Sequence, residues 1–188
     1  MIYGGDGLAR LSGEEQRDVH IGVGAHGEHR TQQRGKALFV PFTLAGEIVE
    51  AVITEEKTGF ARAKLERVVS SSPHRIAAGC PHFQRCGGCH YQHTTYEQQL
   101  AIKTQILAET VWRQGKVALA APIRVHAGEP WQYRNRSRFQ VRVTPNFVAG
   151  FFRLASHDIL PIEQCPISSP LRPRVTSSIS FAIRNRLT

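Results

Sequence analysis

Between Leu38 and Val69 apolar and polar residues follow one another in the manner of short β-strands. LFVPF reads as a strand that ends near Pro41, LAG as a turn, and EIVEAVIT as a second strand. EEKTG then reads as a hairpin loop and FARAKLERVV as the partner strand. In that partner Arg62, Lys64 and Glu66 alternate with Ala61, Ala63 and Leu65, the period of a half-buried strand. Short strands at such close spacing imply a small barrel or sandwich, with SSSP at 70–73 as its boundary. Between Leu11 and Lys36 the pattern lapses. That stretch is polar, rich in Gly and His, contains only a brief VHIGV, and reads as an exposed excursion between strands.

Past residue 94 the period becomes helical. Thr94 and Glu97 match a T-x-x-E capping box, Tyr96, Leu100, Leu107 and Val111 mark one face, and Gly115 supplies the stop. Strands return from Trp131 to Ile162. In YRNRSRFQVRV, Phe139, Val141 and Val143 are expected to pack, while Arg134, Arg136, Arg138 and Arg142 line the other face with Gln140. TPN turns the chain, FVAGFFR (147–153) is the expected antiparallel partner, and ILPIEQCPI carries Cys165. The tail from Ser168 completes no recognisable element.

Length and charge narrow the picture. A chain of 188 residues makes one domain or two small ones. No apolar run is long enough to span a bilayer, and MIYGGDGLAR lacks the basic and apolar regions of a secretory signal. The expectation is a cytoplasmic chain without a membrane partner, where a cysteine cluster points to metal binding or catalysis rather than disulfides. The net charge of +9 is unevenly placed: residues 1–75 hold ten Lys/Arg against ten Asp/Glu, and residues 76–188 fourteen against five. A basic half joined to a neutral one suggests a polyanionic partner for the basic half; solubility is the plainer reading.

Two motifs carry candidate chemistry, and a third is a decoy. GVGAHG (Gly22, Gly24, Gly27) matches G-x-G-x-x-G in form, but its preceding strand is too short and EHRTQQRGK after it has no apolar helical face. The cysteines are stronger. Cys80, Cys86 and Cys89 are spaced C-x5-C-x2-C, Gly87-Gly88 permits tight wrapping, and Cys165 precedes a proline. This fits a four-thiolate site holding either a tetrahedral zinc or an iron–sulfur cluster. Three close cysteines and one distant one resemble cluster ligation more, with His82, His90 and His93 as possible substitute zinc ligands. A redox CxxC would need a βαβ context, and a catalytic cysteine a base that no pattern identifies.

The arginine face is the other candidate. Residues i and i+2 of a strand lie about 6.6 Å apart on one face. Arg134, Arg136, Arg138 and Arg142, with Arg153 on the partner strand, could therefore grip successive phosphates. Trp131, Tyr133, Phe147, Phe151 and Phe152 could stack on unpaired bases. The competing reading is an edge strand kept soluble by charge.

CPHFQRCGGCHYQHTTYEQQLAIK, PWQYRNRSRFQV and GFFR…HDILPIEQCPI together resemble the RNA uracil-C5 methyltransferases, most nearly the bacterial enzymes that make 5-methyluridine in 23S ribosomal RNA. IYGGDGLARL, KALFVPFTLAGEIVEAVIT and EKTGFARAKL resemble the TRAM domain, a small OB-like RNA-binding barrel. The resemblance implies a mainly β fold with some α: a TRAM barrel over 1–72 with an insertion at about 12–35, then a central α+β iron–sulfur domain over 73–188 with one capped helix and an antiparallel sheet. It implies that Cys80, Cys86, Cys89 and Cys165 ligate a 4Fe-4S cluster and that RNA, 23S rRNA for this group, is the partner. The family reaction uses a cysteine nucleophile and S-adenosylmethionine in a Rossmann-like domain that this chain is expected to lack. The expectation is therefore the N-terminal part of such an enzyme, a fragment, truncated product or split protein, that does not catalyse alone. A stand-alone zinc- or cluster-containing RNA-binding module and an iron–sulfur electron carrier are the rival classes.

Overall fold

The computed structural model describes residues 2, 4–11, 19–22, 35–145 and 147–170, with 19–22 as backbone. They form two compact units that interleave along the chain: Met1–Ala77 with His93–Val125, and Ala78–Gln92 with His126–Thr188. The first is called the sheet unit below and the second the thiol unit.

The sheet unit contains β1 (Asp6–Leu11), β2 (Val19–Gly22), β3 (Lys36–Pro41), β4 (Ile48–Glu56) and β5 (Phe60–Ser70) in the spatial order β1-β3-β5-β4-β2. β3 and β5 run parallel, and the other neighbours are antiparallel. The expected strands and hairpin all form. Within the expected excursion Val19–Gly22 form a strand, β2, which pairs along β4. Gly22 closes β2, while Gly24 and Gly27 of the decoy motif lie outside the described residues.

Alternation does in β5 what the sequence implies: Ala61 and Ala63 are buried while Arg62, Lys64 and Glu66 face water. The core joins these alanines to Ala9, Leu38, Val40, Val49 and Ala51. Small inward side chains let the strands approach closely, and three register shifts along β4–β5 bend the pair.

One buried ion pair holds the chain where it leaves the sheet. Gly46, at φ +83, makes the turn before β4, and Glu47 after it is fully buried. Its carboxylate accepts from the Leu44 N–H at 2.8 Å, the Ser72 N–H at 3.2 Å, and both Nε and Nη2 of Arg75, the latter at 2.6 Å. Arg75 Nη2 also donates to the Phe42 carbonyl at 2.8 Å. Burial pushes the Glu47 carboxyl up, but the Arg75 pairing and the two backbone N–H groups outweigh it and hold the group below its ordinary value.

Helix α1 (Tyr96–Gly115) belongs to the same unit. Its N-cap is Thr95, one residue later than expected: the Thr95 hydroxyl accepts from the Gln98 N–H at 3.4 Å. Thr94 is diverted because its hydroxyl donates to the His74 carbonyl at 2.9 Å. The helix ends on Lys116 in the left-handed conformation, after Gly115 rather than at it. The expected face is also incomplete. Leu107 is half exposed, and the buried helical residue is Ile102.

The thiol unit carries β6 (Gln140–Arg142), β7 (Val148–Phe152) and β8 (Ile159–Pro161), an antiparallel sheet in that order. β6 corrects the arginine ladder. Only Arg142 of its four arginines lies on a strand, because upstream the backbone bonds elsewhere: the Arg134 N–H donates to the Ile167 carbonyl at 2.8 Å, and the Ser169 N–H to the Arg134 carbonyl at 3.0 Å. Val141 and Val143, expected to pack, are exposed, while Phe139 stacks on Phe151 with ring centroids 4.7 Å apart.

Replacing Glu47 with Gln removes the charge that balances Arg75, and is expected to lower unfolding free energy by about 3–5 kcal/mol at neutral pH. Since folding lowers the Glu47 pKa, that advantage is complete above the ordinary carboxylate value of 4.5 and disappears as pH falls through the native value. Urea unfolding of both proteins across this range checks it; curves separated equally at every pH would contradict it.

Candidate functional site

Three segments of the thiol unit bring its cysteines together. From Cys80 the chain coils tightly, with the Phe83 N–H on the Cys80 carbonyl at 3.1 Å and the Cys86 N–H on the His82 carbonyl at 2.9 Å. The coil is pinned to the end of β7: the Gly87 N–H donates to the Phe152 carbonyl at 3.0 Å, and the Leu154 N–H to the Arg85 carbonyl at 2.9 Å. Gly150 keeps β7 close to β8, since a Cβ there would lie 1.8 Å from the Leu160 carbonyl oxygen. On the far side, residues 132–134 pair with 166–169 and place Cys165.

The result is one partly enclosed cavity lined by all four cysteines, with a volume of about 30 Å³. Phe83, Phe151, Ile162, Pro166 and Ile167 make most of its wall apolar, and His82, Gln92 and Arg134 are its polar additions. All four thiols are half-buried and none forms a disulfide. As they stand they do not close into a finished ion site: among the described residues no group of three or more His, Cys, Asp or Glu could hold a metal ion.

The thiols are tuned by one another. Burial pushes the Cys86 thiol up, the Gly88 N–H at 3.4 Å from its sulfur draws it down, Cys165 and Cys80 raise it, and Arg134 lowers it. Cys89 is likewise raised, first by burial, with the Gln92 side chain opposing and the other cysteines adding. Nδ1 of His82 is buried without a hydrogen-bond partner, and the buried Gln92 amide meets no partner other than the Cys89 thiol. Nothing in the sequence marks Gln92, since its burial depends on the 80–92 coil closing over it.

Of the possible histidine ligands only His82 lines the cavity. His93 is buried in the sheet unit beside Phe42, ring centroids 6.3 Å apart, and its imidazole is held down to about 4 by burial and by the Arg75 charge. The arginines divide. Arg136, Arg138, Arg142 and Arg153 are exposed, whereas Arg134 is half-buried at the cavity wall. Trp131 and Tyr133 are exposed, but Phe151 is committed to the wall.

Comparison with known proteins defines the class first. Residues 3–65 match the TRAM domain family, so the sheet unit carries a TRAM domain. The chain is 39% identical over 149 residues to the 23S rRNA (uracil(1939)-C(5))-methyltransferase RlmD of Edwardsiella ictaluri, which covers 78% of this chain and 34% of that protein. It is 35% identical over 164 residues to an uncharacterized RNA methyltransferase of Listeria innocua, covering 84% and 35%. Among solved structures it resembles the Pyrococcus abyssi tRNA (uracil-54, C5)-methyltransferase in complex with S-adenosyl-L-homocysteine. That likeness has a TM-score of 0.53 at 19% identity over 98% of this chain and 38% of the other, a likeness of fold. The chain is thus homologous to the RNA (uracil-C5)-methyltransferases over about four fifths of its length, and spans about a third of the length of the curated relatives it matches.

Proposed function

We propose that this chain is the RNA-recognition and cluster-holding portion of an S-adenosylmethionine-dependent 23S rRNA (uracil-C5)-methyltransferase, working in the cytoplasm. The observation that carries the cluster reading is the convergence of all four cysteines on one cavity. The donor set suits the group: four thiols, apolar walls, and the buried polar atoms of His82 and Gln92 to face its sulfurs. Four thiolates are a donor set that a tetrahedral zinc accepts as well; the spacing of three close cysteines and one distant one, followed by a proline, favours the cluster. Cys80, Cys86, Cys89 and Cys165 would hold it. When bound it would tie the 80–89 coil to the segment at Cys165, a structural linkage, since methyl transfer to uracil requires no electron.

The TRAM domain supports RNA as the partner. Arg136, Arg138, Arg142 and Arg153 present charged forks to phosphates, and the exposed Trp131 and Tyr133 offer rings to unpaired bases. Because the chain's four cysteines all line the cavity, none remains to attack uracil. The role of this chain's residues is RNA recognition rather than methyl transfer. No helix among the described residues is long and apolar enough to cross a membrane.

Anaerobic purification is expected to yield a brown protein with iron and acid-labile sulfide in equal amounts; a colourless protein with stoichiometric zinc would overturn the cluster reading. Incubated with labelled S-adenosylmethionine and rRNA, the chain is expected to transfer no label, and transfer would show a nucleophile outside this scheme. Substituting Ala at Arg136, Arg138 and Arg142 should flatten the dependence of log affinity on log salt by about 0.7 per lost phosphate contact. An unchanged slope in a folded variant would remove these arginines from the interface.

A further inference from the structure

We propose that Arg134 is a positioning residue of the thiol cavity, supplying the fixed positive charge that balances the ligating sulfurs, and is not a phosphate contact. This rests on the four-thiolate cluster reading above. In the sequence Arg134 is indistinguishable from Arg136 and Arg138, with which it alternates. The structure separates it from them on three counts.

The first is position. Arg134 lines the same cavity as the four cysteines, while Arg136 and Arg138 are exposed. The second is how it is held. Its N–H donates to Ile167 at 2.8 Å and its carbonyl accepts from Ser169 at 3.0 Å, so its backbone is clamped to the segment that follows Cys165. A nearby hydroxyl pair, Ser137 with Ser168 at 3.1 Å, tightens the same junction. The third is charge. Among the described residues the Arg134 guanidinium has neither a carboxylate partner nor a side-chain hydrogen bond, unlike Arg62, Arg67, Arg75 and Arg113, which all pair with acids.

A half-buried guanidinium without a counter-charge is unfavourable. The cavity it lines contains no Asp or Glu, so the groups there that can become anionic are the four sulfurs. An arginine stays charged throughout the accessible pH range, making it a permanent counter-ion where a histidine would not be.

The test uses the chain purified anaerobically with its iron and sulfide, as wild type, Arg134→Gln and Arg134→Lys. Midpoint potential, iron loss to a chelator and the salt slope of RNA binding are measured on each. Removing a positive charge beside the group makes adding an electron harder, so Arg134→Gln is expected to lower the potential. It should also accelerate iron loss by roughly 10- to 100-fold, the usual cost of losing an outer-shell partner. Arg134→Lys, which keeps the charge, should restore most of both, and the salt slope should match wild type in each variant. If the Gln variant loses iron during purification, retention by the Lys variant supports the assignment and loss from both overturns it. An Arg134→Gln protein with wild-type potential and iron retention overturns it, as does a flattened salt slope with unchanged potential. Absence of iron and sulfide from the wild type itself would instead overturn the cluster reading beneath it.

Discussion

A carboxylate sealed from water decides the path of the sheet unit. Glu47 would be costly to bury alone, and it is tolerated because its oxygens accept from two backbone N–H groups and from the Arg75 fork. Those donors lie at the turn before β4 and in the stretch that leaves β5, so satisfying one charge draws both ends of the hairpin together. The tether continues along the chain. Residues 74–76 bond to His93, Thr94 and Thr95, which sets where α1 begins and which threonine caps it.

Among the described residues of the thiol unit the buried aliphatic ones are Leu160, Ile162 and Ile167, all on β8 or just beyond it, and two of the three described strands have only three residues. Backbone pairing between sequence-distant segments carries the load instead. It is this pairing, at 85–87 with 152–154 and at 132–134 with 166–169, that assembles the cavity. A group ligated by Cys80 and Cys165, as proposed, would cross-link the same segments.

The arginines of the basic half fall into two environments that its composition cannot separate: Arg136, Arg138, Arg142 and Arg153 are exposed, whereas Arg134 lines the cysteine cavity. Among the described residues, charges of the neutral TRAM-bearing half pair with one another: Lys36 with Glu56, Arg67 with Glu50, Arg62 with Asp6 and Glu55.

Much of this was legible in the sequence because it depends on near neighbours. Period-two alternation specified β3 to β5, since a strand's faces follow from its own residues. The helix was visible from its apolar spacing, and the spacing of Cys80, Cys86 and Cys89 around Gly87-Gly88 already put three of the cavity's cysteines in one loop. Only the tertiary structure decided which other residues share the cavity with the cysteines: Arg134 arrives there through backbone hydrogen bonds to Ile167 and Ser169, more than thirty residues away. The arginine ladder failed for the same reason: alternation describes how a strand would look, but the backbone of 132–134 found partners at 166–169 instead of continuing β6. Thr94 lost its expected capping role to a carbonyl at residue 74. Local pattern determined the elements; competition for distant hydrogen-bond partners decided where they end and what they bring together.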